Sequence, residues 1–167
     1  LKKMGAKIKI KDGYVVATAK KSLKGCLIRF PKISVGATEN ILIAACFAKG
    51  KTRLRNCASE PEVQDLINFL IKMGCKIKRI NKRDIDIFGV SKLKSAVHKV
   101  VFDRIEAGTY IIAIALTNGY AKVKNVDPKI ISTELGFLNR MNVKIEKKKN
   151  FIIVRSPKKI KSINIST

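Results

Sequence analysis

A lysine, a serine and a glycine stand close together in one short segment, and these residue types could bind an anion. The segment is PKISVGAT at 31–38, where Lys32 offers an ammonium group, Ser34 a hydroxyl and Gly36 an unshielded backbone at a predicted helix start. A helix N-terminus directs free N–H groups and a positive dipole end outward, so it attracts phosphate. In a purely structural interpretation, Ser34 caps the helix and Gly36 only permits the turn. Physical chemistry alone supports both interpretations equally.

A related segment, DRIEAGT at 103–109, also lies between a β-like run and an apolar run. Ile33 matches Ile105 and Gly36 matches Gly108, and both pairs are 72 residues apart (105 − 33 and 108 − 36). We therefore predict a tandem repeat in which this strand-to-helix turn is the part that faces a ligand.

A second motif gives the period of the repeat. KMGAKI at 3–8 returns as KMGCKI at 72–77 and as RMNVKI at 140–145. The intervals are 69 and 68 residues (72 − 3 and 140 − 72), and a constant period indicates repeat architecture. In each copy a Gly or Asn is predicted to end a helix in the left-handed conformation, and an alternating strand follows.

One complete repeat, 23–92, has the predicted order strand, helix, strand, helix, strand, strand. Its first helix, Gly36–Ala48, is apolar on almost every side, so it is expected to be buried on most of them, side by side with the helix after Asp103. Ser59 and Glu62 predict a capping box at the start of the second helix.

The remaining segments are further copies of this βαβαββ repeat. Residues 93–156 repeat the whole order, with Asp127 and Pro128 predicted to start the second helix. Residues 1–22 are predicted to be the end of a preceding repeat, and 157–167 the first strand of the next one. The predicted fold class is α/β (α+β), with about two full repeats and partial ones.

Composition narrows the possible classes of function. With 46% hydrophobic residues, the chain can bury a core. No apolar run approaches the ~20 residues of a membrane span, and no signal-peptide pattern is present. We therefore expect a cytoplasmic protein with no membrane partner.

The cysteines and the single histidine do not form a metal-binding pattern, so neither a metal nor another cofactor is expected. The histidine, His98, lies among lysines on a predicted strand and is expected to be exposed. The cysteines are expected to be buried, reduced and chemically inert; they are Cys26, Cys46, Cys57 and Cys75.

The net charge of +24 has two explanations. Clustered Lys and Arg bind nucleic-acid phosphates, but here the lysines alternate with Ile and Val instead of forming one stripe. The sequence also has no aromatic RNA-binding motif, zinc finger or helix-turn-helix pattern. A solvated basic surface is the preferred interpretation, and a basic nucleic-acid-binding module is the alternative.

Two long stretches carry a family resemblance. PKISVGATENILIAACFAKGKTRLRNCASEPEVQDLINFLIKMGCKI at 31–77 and DRIEAGTYIIAIALTNG at 103–119 resemble the enolpyruvyl transferases. The resemblance covers nearly the whole chain and is closer to the branch that acts on UDP-N-acetylglucosamine than to the shikimate-pathway branch. It implies an EPSP-synthase-like fold, an inside-out α/β barrel type with helices inside and sheets outside.

The resemblance also implies a reaction and a set of contact residues. The reaction is transfer of the enolpyruvyl group of phosphoenolpyruvate to the 3′-hydroxyl of UDP-N-acetylglucosamine, in peptidoglycan precursor synthesis. By resemblance, the nucleotide sugar contacts Lys32, Ile33, Ser34, Val35 and Gly36, and this favours the binding interpretation of that segment. Three further residues match positions in or near the family's cleft, although each also has an ordinary capping or surface interpretation: Glu60, Asp103 and Arg104.

The chain departs from the family in ways that bear on catalysis. The family's reactive cysteine lies on a loop before the segment that this chain resembles, and none of the four cysteines here matches it. The family's substrate-gripping Lys-Asn pair also lies outside the resemblance, and Ser59 stands where many relatives carry Arg. We therefore expect a central fragment that is inactive alone, unless a second chain supplies the missing segments. A non-catalytic structural remnant is a further alternative.

Overall fold

The computed structural model describes residues 1–165, which form nine strands and four helices after a short 3₁₀ turn at Lys2–Met4. In chain order these are β1 (Lys7–Lys11), β2 (Tyr14–Thr18), β3 (Leu27–Arg29), α1 (Val35–Ala45), β4 (Lys51–Arg55), α2 (Pro61–Lys72), β5 (Lys76–Arg79), β6 (Ile85–Phe88), α3 (Arg104–Leu116), β7 (Tyr120–Lys124), α4 (Ser132–Arg140), β8 (Lys144–Lys148) and β9 (Phe151–Arg155). The chain forms two compact units, one ending at Val100 and the other beginning at Val101.

The first unit contains the antiparallel hairpin β1–β2 and a four-stranded sheet in the order β3-β4-β6-β5. β3 runs parallel to β4, and the other neighbours are antiparallel. Side chains alternate along β4, where Thr52 and Leu54 are buried and Arg55 is exposed. The buried face of the sheet joins the apolar sides of α1 and α2 in one core, which includes Leu42 and Ile67.

The second unit has a three-stranded antiparallel sheet in the order β7-β9-β8, with α3 and α4 packed into its core. This order is that of β4-β6-β5 in the first unit, so the last five elements of the repeat recur as predicted. The predicted first strand is missing, because residues 89–103 have no regular secondary structure. The strand predicted around His98 is therefore wrong.

The main-chain contacts at the end of each repeat recur three times. The helix-ending residues Gly5, Gly74 and Asn142 all have left-handed backbones, with φ of 98°, 100° and 68°, which confirms that prediction. A main-chain hydrogen bond then links each helix end to the start of the next predicted repeat. Lys24 N donates to Met4 O at 2.9 Å, Lys94 N to Met73 O at 2.9 Å, and Lys161 N to Met141 O at 3.1 Å.

The register predicted for the two helix starts is wrong. The caps of α1 and α3 are Ser34 and Asp103, which are 69 residues apart (103 − 34), in agreement with the period of the helix ends. Gly36 is therefore the second residue of α1, whereas Gly108 is the fifth residue of α3. The Gly-to-Gly spacing of 72 residues pairs positions that are not structurally equivalent.

Two predicted helix starts also differ from the structure. The N-cap of α2 is Glu60 rather than Ser59, because Pro61 occupies the first helical position and its ring fixes the backbone there. Asp127 accepts a hydrogen bond from Lys129 N at 2.9 Å and so opens a separate turn. Helix α4 begins only at Ser132.

The expectation that the apolar helices are buried on most sides is also wrong. Helix α1 buries Leu42 but leaves Ile43 52% exposed, and α3 buries Ile111 but leaves Leu116 68% exposed. Each helix has one face in the core of its own unit and one apolar face outside it. Packing of α1 and α3 side by side remains a prediction.

The chain after β9 does not form the predicted strand over the described positions 157–165. The prediction for 166–167 lies outside the described residues. The repeat boundaries at 22/23, 92/93 and 156/157 remain predictions. Within residues 1–165, no helix is long and apolar enough to cross a membrane.

Candidate functional site

The N-terminus of α1 presents the predicted binding segment on the surface of the first unit. Lys32, Ile33 and Ser34 are exposed, and Val35 is half-buried. Ser34 is the N-cap, with an extended backbone, and its Oγ accepts a hydrogen bond from Ala37 N at 3.3 Å. The structural interpretation of Ser34 is therefore present in the geometry, and its side chain remains at the surface.

Gly36 is not needed to make the turn. Its φ is not in the left-handed region, and no atom lies within 4 Å of the position that a Cβ would occupy. The interpretation that Gly36 only permits the turn is therefore wrong. The first turn of α1 instead has open space beside its main chain, where another molecule can approach.

Thr38 connects this helix start to the loop before α2, a role that the sequence did not reveal. Its Oγ1 donates to Ser34 O at 2.7 Å and accepts from Ala58 N at 3.1 Å. The side chain is completely buried. A Thr in the first turn of a helix can bond the carbonyl four residues earlier, so the sequence does indicate the bond to Ser34 O. It does not indicate the second partner, Ala58, which is 20 residues away.

Glu60 lies at the end of the loop that Thr38 holds. Its Oε2 accepts a hydrogen bond from Ser59 N at 2.6 Å, and the residue is half-buried. Glu60 therefore precedes α2 instead of lying in its first turn. The hydrogen bond between Thr38 and Ala58 thus links the loop that leads to Glu60 with the helix that follows segment 32–36.

Asp103 and Arg104 belong to the second unit. Asp103 caps α3, and its Oδ1 accepts hydrogen bonds from Ile105 N at 2.8 Å and Glu106 N at 3.0 Å. The capping interpretation of Asp103 is therefore present in the structure. A role for Asp103 or Arg104 in a cleft remains a prediction.

The expectation that His98 is exposed is wrong. Its side chain is 9% exposed, and its Nε2 lies 3.0 Å from Oδ1 of Asp65. The imidazole also packs on Phe69, with 5.1 Å between the ring centroids. The chain around His98 therefore packs on α2 through the contacts of this side chain with Asp65 and Phe69.

The family described as EPSP synthase (3-phosphoshikimate 1-carboxyvinyltransferase) matches residues 1–167. The chain belongs to the EPSP synthase family.

Relatives within the EPSP synthase family match the whole chain. The chain is 59% identical over 167 residues to UDP-N-acetylglucosamine 1-carboxyvinyltransferase of Pelagibacter ubique, covering 100% of this chain and 40% of that protein. It is 46% identical over 166 residues to the enzyme of the same name from Endomicrobium trichonymphae, covering 99% of this chain and 40% of that protein. The chain thus spans about two fifths of the length of these relatives.

Solved structures of enolpyruvyl transferases share the fold of this EPSP synthase family member. The enolpyruvyl transferase NikO from Streptomyces tendae has a TM-score of 0.79 at 22% identity, with 93% of this chain and 40% of that chain covered. An EPSP synthase from Acinetobacter baumannii has a TM-score of 0.73 at 20% identity, with coverages of 99% and 40%. The predicted EPSP-synthase-like fold class is confirmed.

Three of the four cysteines in this EPSP synthase family member are buried. Cys46, Cys57 and Cys75 lie in the first core, whereas Cys26 is half-buried at its edge. Burial raises the pKa of the Cys57 thiol to about 11. Cys46 and Cys75, 29 residues apart in the chain, lie together in the core, with 2.8 Å between their sulfur atoms. Contact with Cys75, together with burial, raises the pKa of the Cys46 thiol.

These environments predict a selective pattern of thiol labelling. At pH 8 we expect iodoacetamide to modify Cys26 first, because only the thiolate reacts and the three core thiols are covered. Peptide mapping by mass spectrometry after short exposures measures each site. The same reaction in guanidinium chloride should label all four cysteines and serves as the control. Labelling of Cys57 as fast as Cys26 in the native protein would contradict the prediction.

Within the part of the chain that the structure describes, no group of three His, Cys, Asp or Glu side chains could hold a metal ion. The N-terminus of α1 combines an exposed lysine, a helix start and open space beside the main chain in the first unit.

Proposed function

We propose that this chain is a segment of an enzyme that transfers the enolpyruvyl group of phosphoenolpyruvate to the 3′-hydroxyl of UDP-N-acetylglucosamine. The observation that carries the proposal is 59% identity across the whole chain to an enzyme named for this transfer. The reaction belongs to peptidoglycan precursor synthesis. The basic nucleic-acid-binding alternative has no comparable support, because the named relatives are transferases.

Within that enzyme, the proposed role of this chain is to bind the nucleotide sugar at the N-terminus of α1. The exposed Lys32 supplies an ammonium group for the diphosphate. The first N–H groups of a helix have no acceptor inside the helix, and Ser34 Oγ satisfies only that of Ala37. Within residues 1–165, the N–H groups of Val35 and Gly36 have no acceptor outside the helix, and open space lies beside Gly36.

Binding and positioning are the contributions that the described residues support. Addition and elimination at an enolpyruvyl group require several cations near two phosphorylated substrates, and proton transfer at each step. We assign no catalytic residue in this chain. Glu60 is proposed as a cleft residue because its loop is hydrogen-bonded to α1 through Thr38.

The proposed site predicts weak binding that depends on the diphosphate. We expect uridine diphosphate and UDP-N-acetylglucosamine to bind this segment in the millimolar range, because few contacts must offset the cost of association. NMR titration should shift the backbone amides of 34–38. Uncharged N-acetylglucosamine should leave them unchanged, and Lys32→Ala should weaken binding several-fold.

Lys72→Ala provides the matched control, since Lys72 is exposed in the last turn of α2. This variant removes the same charge from the same unit and should bind as the unmodified chain does. The proposal fails if uridine diphosphate shifts amides over the whole basic surface and leaves 34–38 unmoved. It fails also if Lys72→Ala and Lys32→Ala weaken binding equally.

A further inference from the structure

A depression of about 310 Å³ lies at one end of the four-stranded sheet. Its lining residues are Arg29, Arg55, Asn56, Asn81, Arg83 and Asp84. Arg29 and Arg55 end the parallel strands β3 and β4, where they are directly opposite each other. Ligands of open α/β sheets commonly bind beyond the carboxyl ends of such strands. None of the lining residues belongs to the segment 32–36, so the depression is formed by a different set of side chains from the proposed nucleotide-sugar contacts.

Arg29 and Arg55 carry two positive charges at the ends of neighbouring strands. Both residues are exposed, and among the described residues neither guanidinium forms an ion pair. An anion bound between them would be attracted by both positive charges.

Arg53, two positions before Arg55 on β4, shows how this sheet balances an arginine elsewhere. Its Nε and Nη2 donate to the two carboxylate oxygens of Asp86 at 2.6 and 2.7 Å. These hydrogen bonds hold the pKa of Asp86 well below its usual range. Within residues 1–165, Arg29 and Arg55 form no such ion pair with a carboxylate.

The remaining wall of the depression is held in place by hydrogen bonds. Arg83 Nη1 donates to Cys57 O at 3.0 Å, which fixes one end of its guanidinium. Asn56 Nδ2 donates to Phe30 O at 2.9 Å. A ligand would therefore meet two positioned side chains, and preorganisation of this kind lowers the entropic cost of binding.

The lining has more positive than negative charge. Asp84 is the carboxylate among the lining residues, and its Oδ2 accepts a hydrogen bond from Asn81 Nδ2 at 3.1 Å. The three guanidinium groups outnumber it. Planar guanidinium groups bind phosphate through two parallel hydrogen bonds, a geometry that an ammonium group does not offer.

We propose that the arginine pocket, formed by Arg29, Arg55 and Arg83, binds a phosphate group. The volume of about 310 Å³ is near the lower end of the roughly 300–1,000 Å³ of ligand pockets. It suits a phosphate with a small organic part, or free phosphate, better than a nucleotide. The anion would lie between Arg29 and Arg55, with Arg83 at the side.

The test is an NMR titration of the chain with inorganic phosphate, pyrophosphate and glycerol phosphate at constant ionic strength. We expect saturable shifts of the backbone amides of Asn56 and Arg83. The probe that binds most tightly distinguishes free phosphate from a phosphate ester. Replacing both strand-end arginines, Arg29→Gln with Arg55→Gln, should raise the dissociation constant at least tenfold.

A charge-matched control tests the location. Lys76→Gln with Lys78→Gln removes the same number of charges from exposed positions of β5 in the same sheet. This variant should change the dissociation constant less than twofold. Equal weakening by the two double variants, or shifts that never saturate, would overturn the proposal.

A second variant tests the geometry and keeps the net charge. Arg29→Lys with Arg55→Lys should also weaken binding several-fold, because lysine lacks the planar fork. Binding as tight as in the unmodified chain would overturn the proposed bidentate contact. The shifts at Asn56 and Arg83 report on the arginine pocket, and shifts at 34–38 report on the start of α1. If phosphate shifts only 34–38 and the arginine variants leave those shifts unchanged, the phosphate binds at α1, so this proposal fails and the proposed function stands.

Discussion

Replacing Gly89 with Ala is expected to lower the free energy of unfolding of the first unit by about 1–3 kcal/mol or more. A Cβ at this position would overlap the backbone carbonyl oxygen of Ala48. That backbone cannot move freely, because Lys49 N donates to Leu23 O at 2.7 Å and Val90 N donates to Cys46 O at 2.8 Å. The clash therefore involves main chain held on both sides.

Chemical denaturation followed by circular dichroism measures the change, with two glycine variants as controls. Gly36 and Gly108 lie in helices, and nothing is within 4 Å of an added Cβ at either site. Ala at these positions should be neutral or stabilise by up to about 1 kcal/mol, since Gly is a poor helix residue. If Gly89→Ala unfolds at the same denaturant concentration as Gly36→Ala, the close approach at Ala48 is not a constraint.

Replacing Thr38 with Val is expected to destabilise the first unit by about 1–3 kcal/mol. Val keeps the shape of the side chain but cannot donate to Ser34 O or accept from Ala58 N. The Ala58 N–H group is buried and would have no acceptor, which is the costly part of the change. The same change should release the loop of Glu60 from the start of α1.

Hydrogen exchange of the Ala58 amide, measured together with denaturation, separates this effect from lost packing. Thr38→Ser keeps the hydroxyl and should retain amide protection. Thr109→Val is the matched control, because among the described residues Thr109 Oγ1 bonds Ile105 O alone, and the side chain is exposed. This variant should change stability by less than about 0.5 kcal/mol. Protection of Ala58 in Thr38→Val equal to that in the unmodified chain would contradict the prediction.

The elements that could be predicted from the sequence are those with local causes. Strand alternation and left-handed helix ends at Gly5, Gly74 and Asn142 depend on a few neighbouring residues. The predicted register of the helix starts was wrong because Gly36 and Gly108 occur in similar sequence motifs but in different turns of their helices. Local similarity does not fix the position of a residue along a helix.

The site was predictable only in part, because several of its contacts join distant segments. The exposed Lys32 and the capping Ser34 follow from the sequence around them. The contact of Thr38 with Ala58 and the pairing of Arg29 with Arg55 require the folded chain. Likewise, His98 was expected to be exposed because its partner Asp65 is 33 residues away.

The recurring hydrogen bond from Lys24, Lys94 or Lys161 to a methionine carbonyl uses main-chain atoms alone. Any residue except proline can donate it, so a change of side chain at these positions leaves the donor and acceptor groups of the hydrogen bond in place. A duplicated repeat would therefore carry the groups for this hydrogen bond with it, and no complementary side chains would have to evolve. The copies KMG and RMN accordingly differ in sequence, yet each ends in a left-handed residue and each accepts this hydrogen bond.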